Sequence, residues 1–221
     1  MVTFALHDLV AGGGTVTSVN VPSEDVKLAD ERADELFGPE YEDDLMNFVF
    51  ITVPDLTRLP FQDNSFDLVY ACDIMAHLPT RTIGSYSPDI LKVLTEMKRV
   101  TKPGGYMASR DIAAHHFFPE DDLGNLITSS LFRATGLRGW CGPHMPLFYR
   151  QLGFDLAEVH VDSTTTIRGH TRGDPLWASA YARKFEEGTE TRERWIAAGV
   201  SAAKIDLIME KLAQWGEMDH S

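Results

Sequence analysis

The chain has 221 residues, 43% apolar, 24% charged and 10% aromatic, an ordinary globular composition and enough chain to bury one sizeable core. Its net charge of −13, from 33 acids against 20 bases, provides no basic face of the kind that non-specific nucleic-acid binding needs. No run approaches the ~18 consecutive apolar residues of a membrane span, the opening residues hold no basic cluster of a signal or transit peptide, and the lone Cys72 and Cys141 indicate neither a disulfide framework nor a zinc site.

Residues 4–10 read as helical and end at the Gly12-Gly13-Gly14 break. Residues 15–21 are rich in β-branched side chains and read as a first strand. Ser23 then suits a helix N-cap, with Glu24 and Asp25 in the first turn. The helix it opens carries Val26, Leu28, Ala29, Ala33, Leu36 and Phe37 and stops at Gly38-Pro39. The acidic run Glu42-Asp43-Asp44 reads as a solvated face. Residues 48–53 are apolar except for Thr52, as expected of a strand covered on both sides. Gln62-Asp63-Asn64-Ser65 is a turn, and residues 66–72 form a third strand.

Ser87-Pro88-Asp89 signals a helix start, with a capping serine, proline at the first helical position and then an acid. Ile90, Leu91, Val93, Leu94, Met97 and Val100 recur at helical spacing up to Lys102-Pro103-Gly104-Gly105. Residues 106–111 read as a fourth strand. Mixed helical segments run to about residue 152, and residues 154–161 read as a fifth strand. Residues 175–215 are helical, with Thr189 and Ser201 as caps. Strands alternating with helices imply parallel pairing through crossover helices, the doubly wound α/β class with a helical C-terminal region.

Two stretches carry chemical information: LPFQDNSFDLVYACDIMAHLP at residues 59–79 and EMKRVTKPGGYM at residues 96–107. In order, spacing and strand context they resemble the class I S-adenosylmethionine (SAM)-dependent methyltransferases, in the ubiquinone/menaquinone-type, methyltransferase type 11-like branch that acts on small molecules. The resemblance is close over about residues 10–111 and looser beyond. It implies a Rossmann-like sheet in a single domain, residues 1–221, with a partial SAM-binding core at 1–112 and acceptor-pocket helices and the last strand at 113–221.

The resemblance also assigns residues. Ligands of such sheets sit outside the carboxyl ends of the strands. Asn20 ends the first strand, where the family usually has an acid for the SAM ribose; asparagine offers one carbonyl acceptor and no charge. Asp55 corresponds to the acid that accepts the adenine amino group, and the Leu56 amide faces the adjacent ring nitrogen. Asp73 follows the third strand at the mouth, and His77 beyond it is the candidate general base. Arg110 and Asp111 end the fourth strand on the same rim. Each has a plainer reading: Asp55 can cap its own turn, Asn20 can be a strand-exit residue, and His77 can be a hydrogen-bonded loop histidine. His115-His116 near Asp121-Asp122 lacks a fixed ligand spacing and reads as a solvated loop, so no metal is expected. Trp140, Trp177, Trp195 and Trp215 read as packing.

The family's glycine-rich loop, which follows its first strand and faces the methionine carboxylate, has no counterpart in residues 1–221; Gly12-Gly13-Gly14 corresponds to the later helix-to-strand turn. The expected sheet is therefore truncated, lacking the first strand and a last antiparallel strand. A homo-oligomer or a partner chain completing the sheet is one way to satisfy the open backbone groups. A protein of the family without that loop is expected to be a non-methylating accessory protein of small-molecule, quinone or secondary metabolism; the alternative is an active SAM-dependent methyltransferase. Phe117, Phe118, Phe132, Trp140, Met145 and Phe148 suggest an apolar or aromatic small molecule as ligand. No nucleic-acid or membrane partner is expected, and the expected compartment is the reducing cytoplasm.

Overall fold

A computed structural model of the chain describes residues 10, 13–21, 48–75, 78, 86–114, 117, 121–135, 140–164 and 175–218. The chain divides into two compact units, Met1–Ser65 and Phe66–Ser221.

In the first unit the Val10 carbonyl accepts from the amides of Gly13 (3.1 Å) and Gly14 (2.9 Å). Only glycine suits this reversal: Gly13 has φ +129°, and a Cβ on Gly14 would lie 2.8 Å from the Val10 Cβ. Strand β1 (Val16–Asn20) follows and pairs in parallel with β2 (Phe48–Thr52), from Val16 opposite Phe48 to Asn20 opposite Thr52. The Val53 amide donates to the Asn20 carbonyl at 2.8 Å, extending the ladder by one bond. The helix expected at residues 23–37 lies outside the described residues.

The second unit opens with a strand, a helix and a parallel strand: β3 (Phe66–Cys72), α1 (Asp89–Val100) and β4 (Thr101–Arg110). Parallel strands need such a crossover. The helix buries Ile90, Val93, Leu94, Met97 and Val100, the stripe expected from the 3.6-residue period. Ser87 Oγ accepts from the Asp89 amide at 3.2 Å, while the N-cap position itself is held by Pro88, one place earlier than the first helical position expected for it.

Strand β4 begins five residues earlier than expected. Thr101 already pairs with Phe66, the register then jumps so that Leu68 faces Tyr106, and residues 102–105 leave the ladder between these pairs. The excursion needs its two glycines: Gly104 has φ +79°, and a Cβ on Gly105 would meet the Asp67 carbonyl oxygen at 2.7 Å. The mixed α/β class is as expected. Among the described residues the strands form two separate two-stranded parallel sheets, β1–β2 and β3–β4.

The fifth strand expected at residues 154–161 is not formed; the segment is a run of turns. Asp155 Oδ1 accepts from the Ala157 amide at 3.0 Å, and the Asp155 carbonyl accepts from Glu158 at 2.9 Å. The aspartate side chain thus offers the backbone a local partner in place of a sheet ladder. Phe154 is held at the start of the segment by Lys98, whose ammonium stands 4.8 Å from its ring centroid.

The remaining elements are helical: α2 (Asp121–Thr135), a 3₁₀ turn Gly142–His144, α3 (Met145–Gln151), α4 (Pro175–Ala182), a 3₁₀ turn Arg183–Phe185, α5 (Glu190–Ala197) and α6 (Ala202–Glu217). Leu123, Ile127, Phe185, Trp195, Ile205, Ile208 and Leu212 form the centre of their common core. Full burial of each aliphatic side chain contributes about 1.5–3 kcal/mol. Thr189 and Ser201 cap α5 and α6 as expected, accepting from the Arg192 and Lys204 amides at 3.3 Å each. No described helix is long and apolar enough to cross a membrane.

Candidate functional site

Two of the cofactor residues expected from the sequence lie at the carboxyl ends of the β1–β2 pair, Asn20 as the last residue of β1 and Asp55 just past β2. Asn20 is half-buried and closes the register opposite Thr52. Asp55, three residues beyond Thr52, is exposed and shaped by its own turn. Its Oδ1 accepts from the Thr57 amide and its Oδ2 from the Thr57 hydroxyl, both at 2.8 Å, while its carbonyl accepts from the Arg58 amide at 3.3 Å. Leu56 is half-buried in that turn. The turn-capping role considered for Asp55 is therefore observed.

In the second unit the carboxyl ends of β3 and β4 form a rim. Asp73 leaves β3 in the left-handed region, at φ 52°, and its amide donates to the Arg110 carbonyl at 2.7 Å. Asp111 Oδ1 accepts from the Met75 amide at 3.0 Å and so ties the exit of β3 to that of β4. The turn at Gly142 is seated on the same end: its amide donates to the Ile112 carbonyl at 3.2 Å. A Cβ at that glycine would stand 2.6 Å from the Asp111 carbonyl oxygen. From this turn His144 reaches Tyr86, with Nδ1 and the phenol oxygen 2.8 Å apart and ring centroids 4.8 Å apart. Tyr86 also donates to the Trp140 carbonyl at 3.3 Å and meets Phe148 edge-on. The Tyr149 hydroxyl donates to Ser109 Oγ at 3.1 Å.

Electrostatics separate the groups that can handle protons from those that cannot. Burial pushes the Cys141 thiol up to about 12, with the Asp111 charge adding to the effect. Burial also raises the Cys72 thiol, helped by the charge of Asp73, and raises the Tyr149 phenol. Both cysteines therefore stay protonated near neutral pH and are poor nucleophiles.

His77 lies outside the described residues, as do His115, His116 and Phe118. Phe117 packs edge-on against Trp215 in the helical core and does not line the rim, while Phe132 pairs with Trp140. Trp195 and Trp215 are buried in that core, as expected. No cluster of three metal-ligating side chains occurs among the described residues. The sequence reading missed His144 and Tyr86. They are 58 residues apart, and no spacing rule links them; the only local signal is a histidine beside a proline in a tight turn.

A methyltransferase-domain family model matches residues 2–109. "Probable methyltransferase ltbC" of Aspergillus luteorubrus is 30% identical over 216 residues, covering 93% of this chain and 71% of its own length. The chain belongs to the class I SAM-dependent methyltransferases. The 27-O-demethylrifamycin SV methyltransferase of Amycolatopsis mediterranei is 29% identical to this methyltransferase-family chain, over 48% of it and 34% of the relative. The demethylmenaquinone methyltransferase of Staphylococcus haemolyticus is 33% identical, over 47% of the chain and 35% of the relative. The chain thus spans about a third of these two relatives and most of the first.

The family generally uses SAM, and the donor set of the first unit suits the adenosine part of that molecule. Asp55 is exposed and, when ionised, an acceptor-only group with about four lone-pair sites; Thr57 engages both of its oxygens and fixes its orientation. Asn20 presents a carbonyl and an amide in place of a second carboxylate.

Proposed function

We propose that this methyltransferase-family chain takes part in SAM-dependent methylation of a small apolar or aromatic molecule of secondary or quinone metabolism. The single observation that carries the reading is the exposed, pre-oriented carboxylate of Asp55 just past the β1–β2 pair. Asp55 would accept from the adenine amino group, the Leu56 amide would face the adjacent ring nitrogen and Asn20 would hydrogen-bond the ribose. SAM supplies an electrophilic methyl group on its sulfonium. The protein's contribution to such a displacement is mainly proximity and alignment. The relatives' names support a small-molecule acceptor, since they specify a rifamycin and a demethylmenaquinone.

Titration of the chain with SAM in a calorimeter tests the reading. Binding should be micromolar, and Asp55→Ala should weaken it about tenfold or more, since a hydrogen bond to a charged group contributes ~1.5–3 kcal/mol. Absence of binding at millimolar SAM would sink it.

A second reading, an accessory protein that holds an intermediate without methylating it, is favoured by one feature. Asn20 stands at the end of β1, where the family usually has an acid, and brings no charge to the ribose. The same titration separates the two: the accessory protein gives no SAM signal while still binding a small apolar ligand.

A further inference from the structure

We propose that the groove between α4 and α6 is a self-association surface, in which Leu176 of one copy of the chain seats in the groove of a second copy about a two-fold axis. The groove shares no lining residue with the β3–β4 rim, and the inference does not depend on SAM.

The groove follows from how the two helices meet. The eight residues of α4 read PLWASAYA and include no charged side chain. A helix that is apolar all round is normally covered on every side. One side of α4 lies along α6, which runs antiparallel to it. Gly216 brings the helices together at one end, beside Pro175 and Ala178. At the other end Arg192 holds the turn after α4 against α6, with Nη1 3.0 Å from the Phe185 carbonyl oxygen and 4.0 Å from Met209 Sδ. Between these points the side chains are short, and a groove of about 320 Å³ is left, lined by Ala178, Ala182, Met209 and Ala213. Leu176 stands next to Pro175 at the edge of the groove and is 84% exposed. The leucine and the groove together make an apolar patch of the kind that marks an interaction surface.

Shape and charge indicate what covers it. Small-molecule sites orient their ligands with a few enclosed polar groups, whereas Ser179, Arg183, Glu186 and Glu217, the polar residues lining this groove, are all exposed. A second copy supplies both a knob and a hole. Because Leu176 and the groove adjoin on one face, a two-fold contact seats each leucine in the opposite groove, the self-complementary arrangement of the commonest oligomers. The charges at the two ends of the groove are complementary in the same sense. Glu217 stands at the Gly216 end and Arg183 at the Met209 end, and neither side chain has an ion pair among the described residues. A two-fold axis perpendicular to the groove sets the Glu217 of each copy towards the Arg183 of the other. Glu186, beside Arg183, faces the same carboxylate and opposes part of this attraction. With eight residues α4 is only about 12 Å long, so the contact belongs to the small class of interfaces and the dimer is concentration-dependent.

Sedimentation equilibrium of the full chain, from low micromolar to several hundred micromolar, tests the proposal. The chain should show a reversible monomer–dimer equilibrium. Leu176→Asp should weaken it about tenfold or more, with an unchanged circular dichroism spectrum, since the side chain is exposed and an acid suits the first turn of a helix. Arg183→Glu and Glu217→Arg should each weaken the dimer several-fold, the double variant should recover it, and Glu186→Gln should tighten it. A chain that stays monomeric at every concentration, as when a small molecule or its own neighbouring residues fill the groove, overturns the proposal. So does a dimer indifferent to Leu176→Asp, as when strand edges pair instead, or a double charge variant no stronger than the single ones. None of these measurements uses SAM, so they stand apart from the calorimetric test of the methylation reading.

Discussion

Arg192 shows how much one side chain can hold in the helical core. It is 7% exposed, yet its guanidinium donates to the Phe185 carbonyl at 3.0 Å and to Asp206 Oδ1 at 2.8 Å. The Asp206 side chain is 61% exposed, so solvent screens the ion pair and the carbonyl bond carries more of the stabilisation. Arg192→Ala should cost about 2–4 kcal/mol in urea denaturation, because a buried carbonyl loses its donor and the stem loses its packing. Asp206→Ala should cost under about 1 kcal/mol. Cys141 carries a pH dependence of definite sign. The folded chain keeps the thiol protonated up to about 12, whereas the ordinary value is 9.0. Its contribution is therefore whole below pH 9 and is lost as pH rises toward 12, where the unfolded chain binds fewer protons. Tyr181, raised by burial from 10.0 to about 12, acts in the same direction. Denaturation midpoints measured across this range should fall, and Cys141→Ala should flatten the fall. At this scale the sequence was legible where chemistry is local: Asp55 caps its own turn, as its plainer reading anticipates. The Tyr86–His144 contact was illegible because folding, not spacing, brings it together.

Helix ends and helix contacts make separate demands. Ser201 satisfies an amide at the start of α6, so Ser201→Ala should cost about 1 kcal/mol. At the other end of α6, Gly216 lets α4 approach: a Cβ there would stand 2.9 Å from the Ala178 Cβ and 3.1 Å from the Pro175 Cα. Gly216→Ala should therefore destabilise by about 1–3 kcal/mol through overpacking, despite its better helix propensity. Thermal melts of the two variants should show both losses. The elements read correctly were those with a clear period or a matched cap: β1, β2, β3, α1, α5 and α6. The segment 154–161 failed because alternating apolar residues say nothing about whether a neighbour exists, and Asp155 supplied a local partner first. The early start of β4 was hidden because Lys102-Pro103-Gly104-Gly105 marks a turn, and a turn set inside a ladder looks in sequence like one that ends it.

The molecule as a whole distributes its stability unevenly. The central apolar cluster belongs to the helices of the second unit, and α1 supplies β3 and β4 with a buried face. In β2, by contrast, Val49 and Phe50 remain 44% and 52% exposed. A two-stranded pair is marginal without a covered face. Amide hydrogen exchange should accordingly release the β1–β2 amides first, then those of β3–β4, with α6 last; equal protection of both strand pairs would contradict this order.

The excursion at residues 102–105 has a practical consequence. It leaves the ladder after Thr101 opposite Phe66 and rejoins it with Tyr106 opposite Leu68, at the end of the strand pair opposite His144 and Asp111. Extra residues spliced between Pro103 and Gly104 would lengthen a loop that already stands outside the pairing, so they would not move any side chain to the other face of the sheet. The entropic cost of lengthening a loop grows only slowly. An affinity tag or fluorophore placed there would give a handle on the protein remote from the rim at the carboxyl ends of β3 and β4.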